Sequence, residues 1–273
     1  MRLANIRWDG TPRAARADGD TLVVLEDELT GLLRRPGWPD IARTSDGERV
    51  PAAEASFAPL VTKPDKIICA GLNYKGHIAE TGRPTPEYPF FFAKFPAALI
   101  GAHDDLQLPT VSEQTDWEVE LAVVIGKPVR GVRKSEALAA VAGYTIMNDV
   151  TVRDWQHRGP TWLAGKTFEA TTPLGPYLVT PEEFGPGEVD AELTCLVNGE
   201  QMQKSRTSDL LFGVPALISY MSQVITLLPG DVIATGSPSG VGGLMKPPRF
   251  LKPGDVLTTA IEGIGELVNV CRS

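Results

Sequence analysis

The segment Asp116-Trp-Glu118-Val-Glu120-Leu-Ala-Val-Val-Ile125 carries the densest chemistry in the chain. In a strand, side chains alternate between faces, so Glu118 and Glu120 share one face, about 6.6 to 7 Å apart at Cα, while Val119, Leu121 and Val123 take the other. Further along, the acids' face carries Ala122 and Val124, which a face open to water does not explain. Two like charges turned inward are costly unless a cation holds them. Hard oxygen ligands select Mg²⁺, Mn²⁺ or Ca²⁺ over zinc or copper. On this segment alone, a strand end emerging into solvent is also open.

A third acid, Asp149, ends the apolar run from Tyr144 and precedes a short helical stretch, Val152 to His157. Acids at strand ends beside loops are where sites are assembled, although Asp149 or Thr151 could equally cap the helix. Within that helix Arg153, Gln156 and His157 share a face and offer a cation and an amide to an anionic substrate. A plain salt bridge from Arg153 to Asp154 or Asp149 is the competing reading. His77 and Glu80 stand at i, i+3, so the carboxylate can orient the imidazole as a general base, and Gly71, Gly76 and Gly82 would let the segment move as a lid. Lys166 follows a Gly-Pro break, and the loop Gly236-Ser237-Pro-Ser-Gly-Val-Gly242 exposes backbone N–H groups that can receive a carboxylate. Taken singly, these two segments read as a solvated lysine and a tight turn.

The elements that must position these groups are mostly strands. β-type runs occur at Lys66 to Ala70, Pro89 to Lys94, Glu118 to Ile125, Tyr144 to Asp149, Ala191 to Val197, Val232 to Thr235 and Val256 to Ile261. Helical patterns are fewer, the clearest being Ser135 to Ala142, Val152 to His157 and Pro215 to Gln223. Strands and helices do not alternate regularly, which disfavours a doubly wound sheet against a sandwich, roll or barrel. Residues 1–60 read as a small N-terminal β-rich domain and linker, because Arg43 to Asp65 shifts to Ser, Pro, Ala and acidic residues, leaving 61–273 as the catalytic domain.

Composition narrows the function classes. Apolar residues make up 42% and charged residues 22%, enough for a packed core, and the net charge of -8 without a basic run excludes a nucleic-acid partner. No stretch of 18 apolar residues exists, so neither a membrane span nor a signal peptide is expected. Cys69, Cys195 and Cys271 are few and scattered, which predicts reduced thiols and a cytoplasmic protein. Gly236-Ser-Pro-Ser-Gly240 has Pro238 where a hydrolase elbow needs its nucleophile, and no dinucleotide or phosphate-loop motif is complete. With only His77, His103 and His157, a histidine-rich zinc site is not expected.

Gly71-Leu-Asn-Tyr-Lys-Gly-His77, the Asp116 to Leu121 strand, Asn148 to Gln156, Gly165-Lys-Thr-Phe168 and Thr235-Gly-Ser-Pro-Ser-Gly-Val-Gly242, in that order, closely resemble the fumarylacetoacetate hydrolase family, from about residue 66 to the end. The resemblance implies an α+β, predominantly β fold, a mixed β-sandwich roll with a small N-terminal domain, and a homodimer. It implies Glu118, Glu120 and Asp149 as ligands of Mg²⁺ (Mn²⁺ or Ca²⁺ in its place), His77 and Glu80 as a lid dyad, Lys166 as catalytic, and Arg153, Gln156 and Ser237 as substrate contacts. Ser237 stands where many members have Thr, and Phe95-Pro-Ala-Ala98 departs from a hydroxyl-bearing stretch. The implied substrate is a small anionic 2-oxo acid. Hydrolysis of the carbon-carbon bond of an acylpyruvate from aromatic breakdown is the expected reaction. Isomerisation or tautomerisation of a 2-hydroxydienoate and decarboxylation of oxaloacetate are the runners-up on the same site, and a scaffold without turnover the remote third.

Overall fold

The alternating segments fold into strands, in a computed structural model that describes all 273 residues. The chain opens with β1 (Arg2–Trp8), β2 (Thr11–Asp18), β3 (Thr21–Val24), the short helices α1 (Leu29–Leu33) and α2 (Trp38–Thr44), and β4 (Arg49–Pro51). Its middle holds β5 (Ile67–Gly71), α3 (Lys75–Thr81), β6 (Phe90–Lys94), β7 (Leu99–Ile100), β8 (Leu106–Gln107), β9 (Thr115–Asp116), β10 (Val119–Ile125) and β11 (Val141–Asn148). There follow β12 (Thr151–Val152), α4 (Arg153–Gln156), α5 (Leu163–Lys166), β13 (Thr172–Val179), β14 (Glu192–Val197) and β15 (Glu200–Arg206). The last elements are α6 (Val214–Val224), β16 (Val232–Ala234), β17 (Val256–Ile261) and β18 (Gly265–Arg272). The fold is α+β and predominantly β.

An 11-stranded sheet runs β4-β3-β2-β1-β13-β11-β10-β16-β5-β6 with β7 attached to β13, and a 5-stranded sheet runs β15-β14-β17-β18-β8. The N-terminal strands continue the large sheet through the β1–β13 ladder, where Leu3 faces Leu178 and Ala4 faces Tyr177. β10 lies near the centre and is buried along its whole length. Its odd face, Val119 to Ile125, joins a core with Leu193, Cys195 and Val197 of β14 and Leu257 of β17. Its even face, Ala122 and Val124, joins a second core with Leu3, Leu29, Leu32 and Leu60. Each such aliphatic side chain contributes roughly 1.5–3 kcal/mol on burial. A slip of one residue would exchange those side chains for Glu118 and Glu120, so packing enforces the parity that aims the acids.

Two stretches differ from expectation. Over Ser135 to Ala142 the chain forms a 3-10 turn, Lys134–Ala140, and Val141 already opens β11, because Val141 is required opposite Ile125. The strands β13, β15 and β18 have no counterpart among the runs read from sequence. β13 is interrupted by Pro173, Gly175 and Pro176, β15 is polar with only the adjacent Met202 and Gln203 buried, and β18 spaces single buried residues between more exposed ones.

Candidate active site

Glu118 immediately precedes β10, Glu120 lies within it, and Asp149 follows β11. The two strands pair with Val119 opposite Asn148, and the Asp149 N–H donates to the Glu118 carbonyl at 2.8 Å. This register brings a carboxylate oxygen from each of Glu118, Glu120 and Asp149 within 4.8 Å of one another, all three residues being buried. Asn148 locks it, accepting from the Glu118 N–H and donating to Thr259 Oγ1, both at 2.9 Å. Asp149 does not cap α4, since its two oxygens accept from Lys94 Nζ at 2.6 Å and Lys166 Nζ at 2.7 Å.

Lys166 Nζ also reaches Glu118 Oε2 at 2.7 Å, and lies 4.9 Å from the Phe92 ring centroid. Its placement depends on Gly165, where a Cβ would stand 2.3 Å from the Gln156 backbone nitrogen, so only glycine lets α5 close on α4. Arg153 pairs through Nη1 with Glu118 Oε1 and through Nε with Asp116 Oδ2, each at 2.7 Å, and not with Asp154 or Asp149. Asp116 further accepts from the Gly242 and Gly243 N–H groups at 2.7 and 2.8 Å, fastening the glycine-rich loop to Arg153. Arg153 Nη2 is buried and has no hydrogen-bond partner.

Four buried carboxylates, Asp116, Glu118, Glu120 and Asp149, thus face two buried cations, Lys94 and Lys166, and the partly buried Arg153. The acid without an ion pair is Glu120, whose one hydrogen bond comes from the Gly236 N–H at 2.7 Å. Gly236 has φ +106°, a conformation glycine alone adopts readily, and this turns its N–H inward. Burial first, then the neighbouring Asp149 and Glu118 charges, push the Glu120 carboxyl well above its ordinary range. Glu118 goes the other way: burial would raise it, but Lys166 and Arg153 outweigh that and hold it at about 2. Lys166 stays protonated, because Asp149 and Glu118 overcome the effect of its burial. A carboxylate buried without a cation beside two hard oxygen donors fits a divalent ion, and Glu118, Glu120 and Asp149 could hold one.

These groups line an inner chamber of about 50 Å³ that includes His77, Glu118, Glu120, Arg153, Gln156, Lys166 and Ser237, with Phe92 and Trp162 as aromatic wall. It opens into an outer pocket of about 460 Å³ bordered by Arg83, His157, Trp162, Leu244 and Phe250 as well as by His77, Arg153 and Gln156. His77 Nδ1 meets Glu80 Oε2 at 2.8 Å on α3, and Glu80 Oε1 accepts from the Gly240 N–H at 3.0 Å, joining the helix to the glycine loop. Burial acts to raise the Glu80 carboxyl, yet these hydrogen bonds prevail and hold it below its usual value. Gln156 Oε1 accepts from Arg153 Nη1 at 3.0 Å. The residues singled out for the site in the sequence therefore gather in one place, with Glu80 acting from behind His77.

Three participants escaped the sequence reading. Lys94, fully buried, donates to Asp149 and to the Val150 carbonyl. Its signal is a charge at the end of Phe90-Phe-Phe-Ala-Lys94, on the same face as buried Phe92. Asp116 shares the parity of Glu118 and Glu120 and was quoted only as the start of their strand. Gln203 lies in polar β15, where nothing local marks it.

Residues 66–272 match the family model described as Fumarylacetoacetate (FAA) hydrolase C-terminal. The chain belongs to the fumarylacetoacetate hydrolase family. Among its relatives is oxaloacetate tautomerase FAHD2A, mitochondrial, from Bos taurus, 46% identical over 222 residues that span 81% of this chain and 70% of that protein. Among solved structures, 5-carboxymethyl-2-hydroxymuconate delta-isomerase from Mycobacterium smegmatis superposes with a TM-score of 0.82 at 34% identity, covering 100% of this chain and 99% of that one. Maleylpyruvate hydrolase from Sphingobium sp. SYK-6, in complex with manganese(II) ion and pyruvate, does so with 0.81 at 30% identity and the same coverage. Members of this fumarylacetoacetate hydrolase group are thus enzymes of at least three reaction types. The bovine name overturns the cytoplasmic expectation: three buried free cysteines report a reduced protein, not a compartment. No helix is long and apolar enough to cross a membrane.

Proposed function

We propose that this chain is a divalent-metal enzyme, using Mg²⁺ or Mn²⁺, that interconverts the keto and enol forms of oxaloacetate or a close 2-oxo dicarboxylate. The observation that carries this reading is the inner chamber of about 50 Å³, in which Glu118, Glu120, Lys166, Arg153 and His77 converge on a space suited to one small acid head, with an Asp149 oxygen within 4.8 Å of the other two acids. Proton transfer within such a head needs no second reactant, whereas hydrolysis must also seat a water. The 46% identity to a protein named as an oxaloacetate tautomerase supports the same choice.

The division of labour follows from the geometry. A divalent ion held by Glu118, Glu120 and Asp149 supplies Lewis-acid stabilisation of charge on the 2-oxo oxygen. Arg153, fixed by Asp116, offers its unpartnered Nη2 to a substrate carboxylate. Lys166, kept protonated by two carboxylates, is no base, and instead holds Glu118 and Asp149 in place and adds positive charge beside the enolate. His77 with Nδ1–H donating to Glu80 has its lone pair on Nε2. That nitrogen takes the C3 proton as the C2=C3 double bond forms, and returns it to the 2-oxo oxygen, which balances the tautomerisation.

Hydrolysis of an acylpyruvate is the second reading, favoured by one feature, the outer pocket of about 460 Å³ that adjoins His77 and has room for a distal acyl group. The test is to follow loss of enol absorbance from oxaloacetate with the Mg²⁺- or Mn²⁺-loaded protein, against metal alone, and to identify products by NMR. Acceleration with oxaloacetate as sole product supports the proposal. Pyruvate plus a free acid from an acylpyruvate, with no effect on oxaloacetate, moves the assignment to hydrolysis.

A further inference from the structure

We infer that Gln203 is a positioning residue that fixes the direction of the Ser237 hydroxyl proton, making Ser237 an obligate hydrogen-bond donor to an acceptor-only oxygen of the bound acid, a carboxylate or an enolate. The argument rests on the proposed 2-oxo acid reading and specifies one of its contacts. Gln203 is 1% exposed, and its amide orientation is dictated by two partners of fixed polarity. The Val119 N–H can only donate, so the atom 2.9 Å from it is Oε1, and the Pro238 carbonyl can only accept, so the atom 2.9 Å from it is Nε2. The second Nε2 proton then points at Ser237 Oγ, at 2.9 Å.

A hydroxyl has one proton to give. With Gln203 donating to it, Ser237 Oγ is already an acceptor, and its own proton has no protein partner among the hydrogen bonds it makes. Ser237 is 6% exposed and lines the inner chamber beside Glu118, Arg153 and Lys166. An unused donor in that wall is satisfied by a ligand oxygen that brings lone pairs and no proton. The neutral enol hydroxyl or an amine, which must also donate, is less well served. Gln203 further ties Val119, between Glu118 and Glu120, to the Ser237 loop, so the donor is set in register with the proposed metal site.

The direct probe is calorimetric binding of oxalate, an acceptor-only dianion, to the Mg²⁺-loaded protein, since it needs no turnover. Ser237→Val removes the proton at nearly the size of Ser237→Thr, which keeps it. The valine variant is expected to bind oxalate roughly ten- to a hundred-fold more weakly than the threonine variant, the range for one hydrogen bond to a charged acceptor. Gln203→Met is expected to weaken oxalate in the wild-type background and to add nothing further in the Ser237→Val background, with Mg²⁺ affinity held in all variants. Equal oxalate affinity in the valine and threonine variants overturns the proposal, as do penalties for Gln203→Met and Ser237→Val that simply add. If Gln203→Met does not fold, Gln203→Leu takes its place in the same cycle, because the valine and threonine pair reports only on the Ser237 donor. Failure of the wild-type protein to bind oxalate would instead strike the 2-oxo acid reading itself.

Discussion

Glu120→Gln should stabilise the metal-free protein and remove most of the stabilisation that metal confers. Glu120 is the buried acid with no cation beside it, and its charge lies within 4.8 Å of charges on Glu118 and Asp149. At that separation and an effective dielectric near 20, each like-charge pair costs about 3.5 kcal/mol. The charge of Lys166, which pairs with Glu118 and Asp149 and not with Glu120, offsets much of this, leaving a net penalty of about 1–3 kcal/mol for ionised Glu120. The amide is isosteric, keeps an oxygen for the Gly236 N–H, and turns an NH₂ toward its acidic neighbours. At roughly 2–4 °C per kcal/mol, the melting temperature in EDTA should rise by several degrees. Adding Mg²⁺ at about 100 times its Kd contributes about 2.7 kcal/mol to the wild type. Losing one ligand weakens binding by at least the 10- to 100-fold seen for supporting groups, so the metal-induced shift should fall by about half or more. Scanning calorimetry of both proteins, with and without metal, checks both arms. A variant less stable than wild type in EDTA, with an undiminished metal shift, would refute the charge argument.

Replacing His77 with Ala should lower kcat/KM by roughly 10²- to 10⁴-fold while the Mg²⁺-induced melting shift persists, because His77 bonds Glu80 and not the three acids; an enzyme of full activity would remove His77 as the base. Gly165→Ala drives a Cβ to 2.3 Å from the Gln156 nitrogen and should cost about 1–3 kcal/mol or displace Lys166, read by denaturant melts together with oxalate binding. Glu80 has a depressed carboxyl, so its hold on Gly240 is complete above the unfolded glutamate value of about 4.3 and is lost as pH falls through the lower folded value. Hydrogen-exchange protection factors in α3, corrected for the intrinsic pH dependence of exchange, should therefore stay flat from neutral pH down to about 4 and fall only below it; a fall already at pH 6 would contradict the ionised Glu80 contact.

How much of this was legible in the chain depends on whether the information was local. The parity of Glu118 and Glu120 was, because a period of two and the apolar Ala122 and Val124 behind them say which way the acids face, and two separate cores enforce that parity. The helical spacing of His77 and Glu80 was likewise enough for the contact at 2.8 Å. Ser135 to Ala142 misled because a helix-forming composition gave way to the pairing of Val141 with Ile125, a demand set by another strand. Lys94, Asp116 and Gln203 lie 55, 37 and 34 residues from the groups they orient, Asp149, Arg153 and Ser237. Their roles exist only once the sheets close. The two classes of residue do different work: those visible in sequence can touch the metal or the substrate, and those invisible to it hold the first set at fixed charge and orientation. Arg153 shows the dependence most clearly, since Asp116 occupies Nε and Glu118 occupies Nη1, which leaves Nη2 without a protein partner. Under the proposed function, altering the orienting residues while the three acids stay as they are is the route by which this scaffold would change its substrate.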